Sequence, residues 1–346
     1  MTLGYLAALV KRGHEVYWFA NGFSGGAPTD EYEGVKVVRG GGIGISILKA
    51  RSWVRQQAKF DLIIDQHHGI PWFAPWWSRT RTIAFIHEVL GPIWNSFYPQ
   101  PMASIGRFQE RLMLRLYRSI PFWSACPSTE KGLRELGARD VTLIPYGVST
   151  VPIQPFPEKH FEAPMRLVVV SRLAPNKRID HAVEAVGILR DRGREVRLSI
   201  IGDGETKTAL TEMIREKDLA KEVRFEGRLD EREKDELLAT SHVLLHSSVR
   251  EGWGLNVIEA NCMGTPAVVY PVPGLIESTI HEETGLVANR ESPEALADEV
   301  DRLFNDSQLY RNCRHAAWLR GSEFHWDRIL PRACEWLEKQ ALRGRG

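Results

Sequence analysis

Short apolar runs alternate with amphipathic stretches along almost the whole chain. Four runs in the first half have the length and composition of buried strands, at residues 14–20, 35–40, 60–68 and 82–88. Apolar positions recur at helical spacing in residues 106–119 and again in residues 129–137. Apolar runs that end in polar residues are typical of parallel strands covered on both faces. The pattern therefore predicts an α/β fold with a doubly wound sheet.

A proline-rich segment interrupts this alternation. Residues 144–164 contain five prolines and no apolar periodicity, which indicates a linker. The alternation of strands and helices restarts at residue 165 and continues through the second half. We predict two Rossmann-like domains, at residues 1–149 and 150–324, with a ligand cleft between them. A last helix at about 325–340 is expected to pack back on the first domain.

Charge and cysteine content exclude several classes of protein. The 346 residues include 45 Lys and Arg and 44 Asp and Glu, so the net charge of +1 gives no general attraction to nucleic acid. The four cysteines lie far apart without a C-x-x-C pair, which argues against a zinc site or a disulfide framework. We find no apolar stretch that could span a bilayer and no basic segment typical of a signal peptide. These features predict a cytoplasmic protein.

Three loops in the second half each follow a predicted strand and precede a predicted helix. The first contains Arg172 and Lys177, the second contains Gly202 and Gly204, and the third is the stretch REGWGLNVIE that begins at Arg250. Loops that follow strands of one parallel sheet meet at one edge of that sheet. Glycines allow the backbone to approach a ligand closely, and cations and a helix N-terminus attract phosphate. This combination predicts a diphosphate site.

Two glutamates flank the glycines of the third loop. Glu259 would lie about one turn inside a helix that begins near Leu255, roughly 6 Å beyond the phosphates. Its carboxylate suits the paired hydroxyls of a ribose. Glu251 precedes the glycines, on the side where a transferred group would lie. Taken alone such a pair occurs often by chance, but with the neighbouring loops it predicts contacts to both ends of the donor.

Five ordered segments of the second half resemble the successive motifs of the family 4 retaining glycosyltransferases: SRLAPNKRID, IGDGE, FEGRL, HSSVREGWGLNVIEANCMGTPAVV and ETGLV. The resemblance extends from about residue 3 to about residue 337. It implies the GT-B fold, in which two Rossmann-like domains enclose an interdomain cleft. It also implies transfer of a hexosyl group from a nucleoside diphosphate sugar, with retention at the anomeric carbon.

The resemblance also implies a role for each matching residue. Glu251 and His87 would act at the reacting end of the donor. The donor-binding residues would be Arg172, Lys177, Gly202, Gly254, Leu255, Asn256 and Glu259. The family usually requires no metal, because cationic side chains and the helix dipole neutralise the leaving diphosphate. We therefore expect no cofactor beyond the donor itself.

Candidates in the first half have weaker support. His87 follows a predicted strand and matches a histidine that the family uses near the donor sugar, although a lone histidine is more often structural. His67 and His68 end the preceding strand and are weaker candidates. Trp72 and Trp94 are candidates for the acceptor side, because aromatic faces stack on sugar rings. Large aromatic side chains also simply fill cores.

Residues 106–119 predict a basic amphipathic helix. Arg107, Arg111, Arg115 and Arg118 recur at spacings of four, four and three, beside three apolar side chains. Such a helix can lie on an anionic membrane, which would place the protein peripherally at the inner face of the membrane. The competing interpretation is a solvated face on a helix that packs against its own sheet.

Departures from the family pattern keep other functions open. We find no match to the family's usual first strand and Gly-Gly loop, and Tyr146 stands where the family usually has Asn. The leading hypothesis is a hexosyltransferase of cell-surface glycan or lipid-linked saccharide synthesis, with a UDP-sugar as the first expected donor and a GDP-sugar as the second. The alternatives are a catalytically impaired nucleotide-sugar-binding protein and a nucleotide-sugar epimerase of similar fold.

Overall fold

The computed structural model describes residues 2–42, 44–67 and 69–344, so the candidate His68 lies outside the described residues. The chain forms two compact units. Unit 1 comprises Met1–Val89, Phe108–Gly147 and Trp326–Gly346. Unit 2 comprises Leu90–Arg107 and Val148–His325. The segment Leu90–Arg107 therefore belongs to unit 2, although it lies in the first half of the chain.

Helices and strands alternate through the first half, as the pattern of apolar residues predicts. In chain order they are α1 (Thr2–Lys11), β1 (Tyr17–Ala20), β2 (Thr29–Tyr32), β3 (Val35–Arg39), α2 (Ser46–Gln56), β4 (Ile63–His67), α3 (Ala74–Trp77), β5 (Thr82–Ile86), α4 (Trp94–Phe97), α5 (Met102–Leu116), β6 (Phe122–Ser124), α6 (Pro127–Glu135) and β7 (Val141–Leu143).

The strands of unit 1 form two separate sheets. A four-stranded parallel sheet has the order β4, β5, β6, β7. The other sheet has the order β1, β3, β2, in which β1 runs parallel to β3 and β2 runs antiparallel to it. In the described part of unit 1, no strand joins the two sheets. The first-half strands are therefore divided between two sheets.

A tight hairpin connects β2 to β3. The two residues of the turn, Glu33 and Gly34, both have positive φ, at 51° and 79°. This backbone is that of the two-residue turns that match the twist of antiparallel strands. The four residues of β2 are all exposed, so the strand has no apolar alternation, and the hydrophobic pattern does not predict it.

The basic helix of the first half is shifted from its predicted position. α5 spans Met102–Leu116 instead of residues 106–119. Residues 117–119 form a turn after the helix, and Pro121 disfavours helical backbone at Ile120. Arg118 therefore follows the helix and does not lie on it, which corrects the prediction of four arginines along one helical stripe.

The second half of the chain continues the alternation and ends in helices. In order the elements are β8 (Met165–Val170), α7 (Ile179–Asp191), β9 (Val196–Ile201), α8 (Lys207–Glu216), β10 (Val223–Gly227), α9 (Glu231–Thr240), β11 (Val243–His246), α10 (Leu255–Cys262), β12 (Ala267–Val269), α11 (Leu275–Ser278), β13 (Gly285–Val287), α12 (Pro293–Asn305), α13 (Ser307–Gly321) and α14 (Trp326–Leu342).

Unit 2 contains one six-stranded sheet in which all neighbouring strands are parallel. Its order is β10, β9, β8, β11, β12, β13. Numbered within the sheet, this is the 3-2-1-4-5-6 order of a Rossmann fold. Side chains of the central strands, such as Leu167 and Val168 of β8 and Leu244 of β11, are buried. Burial on both faces explains why these strands are continuous apolar runs.

Local sequence determines where several helices of unit 2 begin. Asp230 and Glu233 form a reciprocal capping box at the start of α9. The Ser292 side chain accepts a hydrogen bond from the Ala295 amide at the start of α12. Asp306 caps α13 in the same way. These side chains satisfy amide groups that a helix start leaves without partners.

Two expectations from composition can be compared with the fold. The helices within residues 2–42, 44–67 and 69–344 include none that is both long and apolar enough to cross a membrane. The four cysteines are buried free thiols, namely Cys126, Cys262, Cys313 and Cys334. Burial raises the pKa of Cys262 to about 12, which keeps that thiol protonated.

Candidate functional site

The sheet of unit 2 brings two of the predicted loops together. β8 and β11 are neighbours at the centre of the sheet, where the strand order reverses. Ligands of such folds bind beyond the carboxyl ends of the strands at this switch point. The loops are joined directly, because the Val249 amide donates to the Asn176 carbonyl at 2.9 Å and Ser247 Oγ donates to the Arg178 carbonyl at 2.7 Å.

The loop after β9 lies against the loop after β8 and requires glycine to do so. A Cβ atom at Gly202 would lie 1.9 Å from the Ser171 carbonyl oxygen. A Cβ atom at Gly204 would lie 2.3 Å from the Leu173 carbonyl oxygen. The Leu173 amide donates to the Asp203 carbonyl at 3.0 Å. The structure thus places all three predicted loops at one edge of the sheet, with backbone packed on backbone.

Glu251 and Lys177 form an ion pair at this edge. Lys177 Nζ and Ser248 Oγ each donate to Glu251 Oε1 at 2.5 Å. The two charged side chains are 19% and 16% exposed. Burial alone would raise the pKa of Glu251, but the attraction of Lys177 and the hydrogen bonds outweigh it and lower that pKa. Glu251 is therefore an ionised carboxylate held in a fixed position.

His246 lies at the end of β11 and was not predicted as a site residue. Its Nε2 atom is 3.5 Å from Glu251 Oε1, and its side chain is buried. Burial lowers the pKa of His246 to about 4, so the imidazole is neutral near pH 7. The contact is thus not an ion pair. The pattern HSSVRE places His246 and Ser248 just before Glu251, but only the turn after β11 reveals that they meet.

The start of α10 combines the features expected of an anion site. Gly254 precedes the helix with φ of 73°, and it has no side chain to cap the first amides. Asn256 Nδ2 donates to the Val170 carbonyl at the end of β8 at 2.7 Å. The Asn256 side chain therefore fixes α10 to the central strand. Because the Asn256 side chain is engaged in this way, the predicted phosphate contact of this segment would have to be made by backbone amides around Leu255.

Glu259 lies one turn inside α10 and pairs with a lysine that the sequence analysis did not identify. Lys234 Nζ of α9 is 3.1 Å from Glu259 Oε1. The side chains are 9% and 20% exposed. Burial raises the pKa of Glu259, and Lys234 opposes part of that effect. No local signal identifies Lys234, because it lies 25 residues earlier in an otherwise ordinary charged helix.

Arg172 differs from Lys177, the other predicted cation of the site. Its position directly after β8 agrees with the predicted loop, and its side chain is exposed. Lys177, by contrast, is half-buried and paired with Glu251. The structure thus brings Lys177 to Glu251 and leaves Arg172 on the surface beside the same loop.

His87 lies in unit 1, directly after β5, and both of its ring nitrogens have partners. The Gln66 amide nitrogen is 2.8 Å from His87 Nε2, and Tyr146 Oη is 2.6 Å from His87 Nδ1. An amide nitrogen can only donate, so Nε2 accepts and Nδ1 donates to the tyrosine oxygen. Tyr146, which replaces the Asn usual in the resembled family, therefore orients the imidazole.

The two candidate tryptophans belong to different units. Trp72 is half-buried in unit 1, where its amide donates to the buried Asp65 at 3.0 Å. Trp94 is half-buried in unit 2, in the short helix α4 that lies beside the turn Pro175–Lys177. Neither ring is fully buried. Trp94 is thus the one of the two that lies close to the loop after β8.

Comparisons with known families cover nearly the whole chain. The model described as "Glycosyltransferase Family 4" matches residues 2–151, and the model described as "Glycosyl transferases group 1" matches residues 151–319. The 2-deoxystreptamine glucosyltransferase of Streptomyces kanamyceticus is 30% identical over 226 residues, or 60% of this chain and 58% of that protein. A GDP-mannose-dependent alpha-(1-6)-phosphatidylinositol dimannoside mannosyltransferase of Mycobacterium tuberculosis is 29% identical over 201 residues, or 56% of this chain and 51% of that protein. The chain thus spans just over half the length of these curated relatives.

Solved structures match the fold over almost its full length. A sucrose-phosphate synthase from Thermosynechococcus elongatus gives a TM-score of 0.79 at 20% identity, covering 98% of this chain and 92% of that chain. HepE of Anabaena, solved in complex with UDP and glucose, gives a TM-score of 0.75 at 18% identity, covering 97% and 95%. These similarities confirm the predicted α/β architecture of two Rossmann-like domains, the GT-B fold.

Proposed function

The chain belongs to the family 4, group 1 glycosyltransferases, since the two family models together match residues 2–319. On this basis we propose that it transfers a hexosyl group from a nucleoside diphosphate sugar to an acceptor hydroxyl, with retention at the anomeric carbon. One observation carries the proposal. The Lys177–Glu251 pair stands at the switch point of the unit 2 sheet, next to the N-terminus of α10. A fixed carboxylate and a cation at this point support a ligand site, because ligands of such folds bind at the switch point.

In this proposal unit 2 stabilises the departing diphosphate. The bond between the anomeric carbon and the diphosphate breaks, and negative charge grows on the leaving oxygen. Lys177, the exposed Arg172 and the amide end of α10 are positioned to offset that charge. The acceptor oxygen bonds to the same face of the sugar, and its proton passes to the leaving phosphate. No metal is needed, because protein groups supply the positive charge.

The two glutamates have separate tasks in this proposal. Both short contacts of Glu251 are made by Oε1, so Oε2 can accept a hydroxyl hydrogen bond from the donor sugar. Glu259, one turn inside α10, accepts hydroxyl groups of the ribose. Lys234 holds that carboxylate at a fixed point of the helix surface. Glu251 thereby fixes the sugar end of the donor and Glu259 fixes the ribose end, on either side of the phosphates.

We propose UDP-sugars as the first donor class and GDP-sugars as the second, with a saccharide or lipid-linked saccharide as the acceptor. Solved relatives include a HepE complex with UDP and glucose, and a curated relative is named as GDP-mannose-dependent. The mannosyltransferase also has a phosphatidylinositol dimannoside in its name. These names support nucleotide and acceptor classes and leave the individual sugar open to experiment.

A calorimetric panel of UDP, GDP, ADP and TDP tests the nucleotide site. We expect selective binding of one nucleotide and a weaker affinity in Glu259→Ala, because that variant removes the ribose acceptor. The matched control is Glu236→Ala, since Glu236 is an exposed glutamate on the neighbouring helix α9. Equal affinity of Glu259→Ala and the parent for the selected nucleotide would remove the ribose assignment. A folded protein that binds none of the four would remove the diphosphate site.

A second assay separates transfer from the alternative functions. The protein is incubated with the sugar nucleotide that matches the selected base, with and without a mixture of saccharide and lipid-linked acceptors. Acceptor-dependent release of nucleotide supports a transferase. Conversion of the donor to an isomer without an acceptor would indicate an epimerase instead. Tight donor binding without any turnover would indicate a binding protein.

A further inference from the structure

Helix α5 presents apolar side chains to solvent. In its unit 1 portion, Phe108, Leu112 and Leu116 lie four residues apart on one stripe and are 70%, 45% and 49% exposed. The same helix continues with Met102 and Ile105, each 54% exposed. Single exposed apolar residues are ordinary, but three at four-residue spacing on the unit 1 portion of one helix form an apolar stripe of the kind found at interaction sites.

The opposite side of α5 provides the contact with the rest of the fold. Leu114 and Tyr117, and the carboxyl-bearing Glu110, are buried. Phe108 and Leu112 are therefore not needed to cover the core. The sequence does not show which apolar positions of α5 face the core. In the structure they divide into one stripe that packs on the core and one stripe that faces solvent. The helix therefore packs on its own unit and exposes a second apolar face to solvent.

A basic stripe borders the outward apolar stripe. Arg111 and Arg115 lie four residues apart, directly beside it, and both are exposed. Arg118 follows the helix and is exposed as well. Within residues 102–118 the only acidic residue is Glu110, which is buried. The accessible charge of this segment is therefore entirely positive.

We propose that α5 docks on an anionic lipid surface, with Phe108, Leu112 and Leu116 inserted among the acyl chains and Arg111 and Arg115 at the headgroups. An exposed apolar stripe beside arginines, without accessible carboxylates, is the arrangement of helices that lie in a membrane interface. The positive charge favours a bilayer of anionic lipids over a second copy of this helix, because two copies would bring like charges together. The proposal is independent of the transferase activity, since it concerns a separate surface.

Vesicle flotation of the full chain tests the proposal. We expect flotation with vesicles of phosphatidylcholine and phosphatidylglycerol, and little with phosphatidylcholine alone. The variant Arg111→Glu/Arg115→Glu should bind anionic vesicles at least about thirtyfold more weakly, since it removes two attractions and adds two repulsions. The variant Phe108→Ser/Leu112→Ser should bind about tenfold more weakly, because it removes the inserted side chains.

Matched controls keep the outcome interpretable. The control Arg224→Glu/Arg232→Glu reverses the charge of two unit 2 arginines that are 80% and 87% exposed. The control Leu48→Ser removes an apolar side chain of α2 that is 64% exposed. Both should float like the parent, and circular dichroism should show that all variants are folded. Equal flotation of the α5 variants and the controls would overturn the proposal, as would absence of flotation of the parent. A parent that dimerises without lipid and becomes monomeric in Phe108→Ser/Leu112→Ser would assign the stripe to self-association instead.

Discussion

The two units of the molecule arrange their strands in different ways. Unit 2 contains one continuous parallel sheet, and the loops after β8 and β11 supply the Lys177–Glu251 pair, whereas helices α9 and α10 supply the Lys234–Glu259 pair. Unit 1 distributes its strands over two sheets, and its candidate His87 is held by two neighbours of the same unit. The Lys177–Glu251 pair of unit 2 lies at the edge of its sheet, whereas the accessible charge of α5 lies on the outside of a helix.

This difference separates two kinds of sequence signal. In unit 2 most of the predicted site residues lie in short segments that follow strands, and the order of the parallel sheet brings the segments after β8, β9 and β11 to one edge. In unit 1 the chemistry depends on which side of a helix or strand meets the core. A motif can reveal the first kind of site, but only the packing of the fold reveals the second. Variants that affect one unit and not the other therefore test the comparison most directly.

The largest expected effect is the loss of turnover in Glu251→Gln. The neutral amide loses the attraction of Lys177 and no longer holds the donor sugar in position. We therefore expect kcat to fall roughly 100- to 1,000-fold. His87→Gln in unit 1 should lower kcat by about 100-fold while leaving the affinity for the nucleotide unchanged, because the proposed nucleotide site is built within unit 2. Initial-rate kinetics and calorimetry on both variants measure the contrast.

Glu236→Gln is the matched control for this pair, because Glu236 is 64% exposed and lies on α9. Its kinetics should equal those of the parent. If His87→Gln weakens nucleotide binding as much as Glu259→Ala does, the assignment of the nucleotide to unit 2 alone is wrong. If Glu251→Gln keeps parental kcat, the carboxylate has only a structural role.

A glycine pair measures how strongly the backbone of the unit 2 site is constrained. Gly274 and Gly193 have nearly equal φ, at 85° and 82°. A Cβ atom at Gly274 would lie 2.1 Å from the Glu251 carbonyl oxygen, whereas one at Gly193 would meet nothing within 4 Å. Gly193→Ala should therefore cost only the left-handed strain, about 1 kcal/mol in the free energy of unfolding. Gly274→Ala should cost about 3 kcal/mol or more and displace Glu251.

Urea denaturation gives both free energies, and the nucleotide affinity of each folded variant reports the displacement. Equal destabilisation by the two substitutions would show that the loop around Glu251 yields freely to the added methyl group. Such a result would also mean that the loop does not hold the Glu251 carboxylate in place. A difference of about 2 kcal/mol would support a rigid site.

Lys234→Met should have the next largest effect on stability. It leaves Glu259 largely buried without its cation, which we expect to lower the free energy of unfolding by about 2–3 kcal/mol. Arg232→Met on the same helix removes an 87% exposed side chain and should change stability little. If the two variants unfold at the same urea concentration, the Lys234–Glu259 pair contributes nothing specific. Restoration of stability in the double variant Lys234→Met/Glu259→Leu would identify the orphaned carboxylate as the cause.

Sequence reasoning predicts the unit 2 fold and the loops of its site for physical reasons. Its strands are apolar runs, and glycines or charged residues follow β8, β9 and β11. The same reasoning does not identify Lys234, since a lysine in EREKDELL differs from its neighbours only by what packs against it. It also does not place β2, because an exposed strand lacks apolar alternation. It leaves α5 ambiguous, because Leu112 and Leu114 are equally apolar and only packing decides which one is buried.

A separate expected effect is a pH dependence of the stability of unit 2, which arises from Lys159 and from neither glutamate. Lys159 donates to the Ser241 carbonyl and lies near Arg314 and Arg166, and burial with these cations lowers its pKa from 10.5 to about 6. Between these values the unfolded chain binds more protons at this residue than the folded chain does. The contribution of Lys159 to the free energy of unfolding therefore increases as the pH rises from about 6 toward 10.5 and is smallest at the acid end. Lys159→Met has no titrating group, so the stability of the parent relative to this variant should increase with pH across the same window. Urea titrations of both proteins at several pH values measure the difference, and parallel curves would show that Lys159 titrates normally.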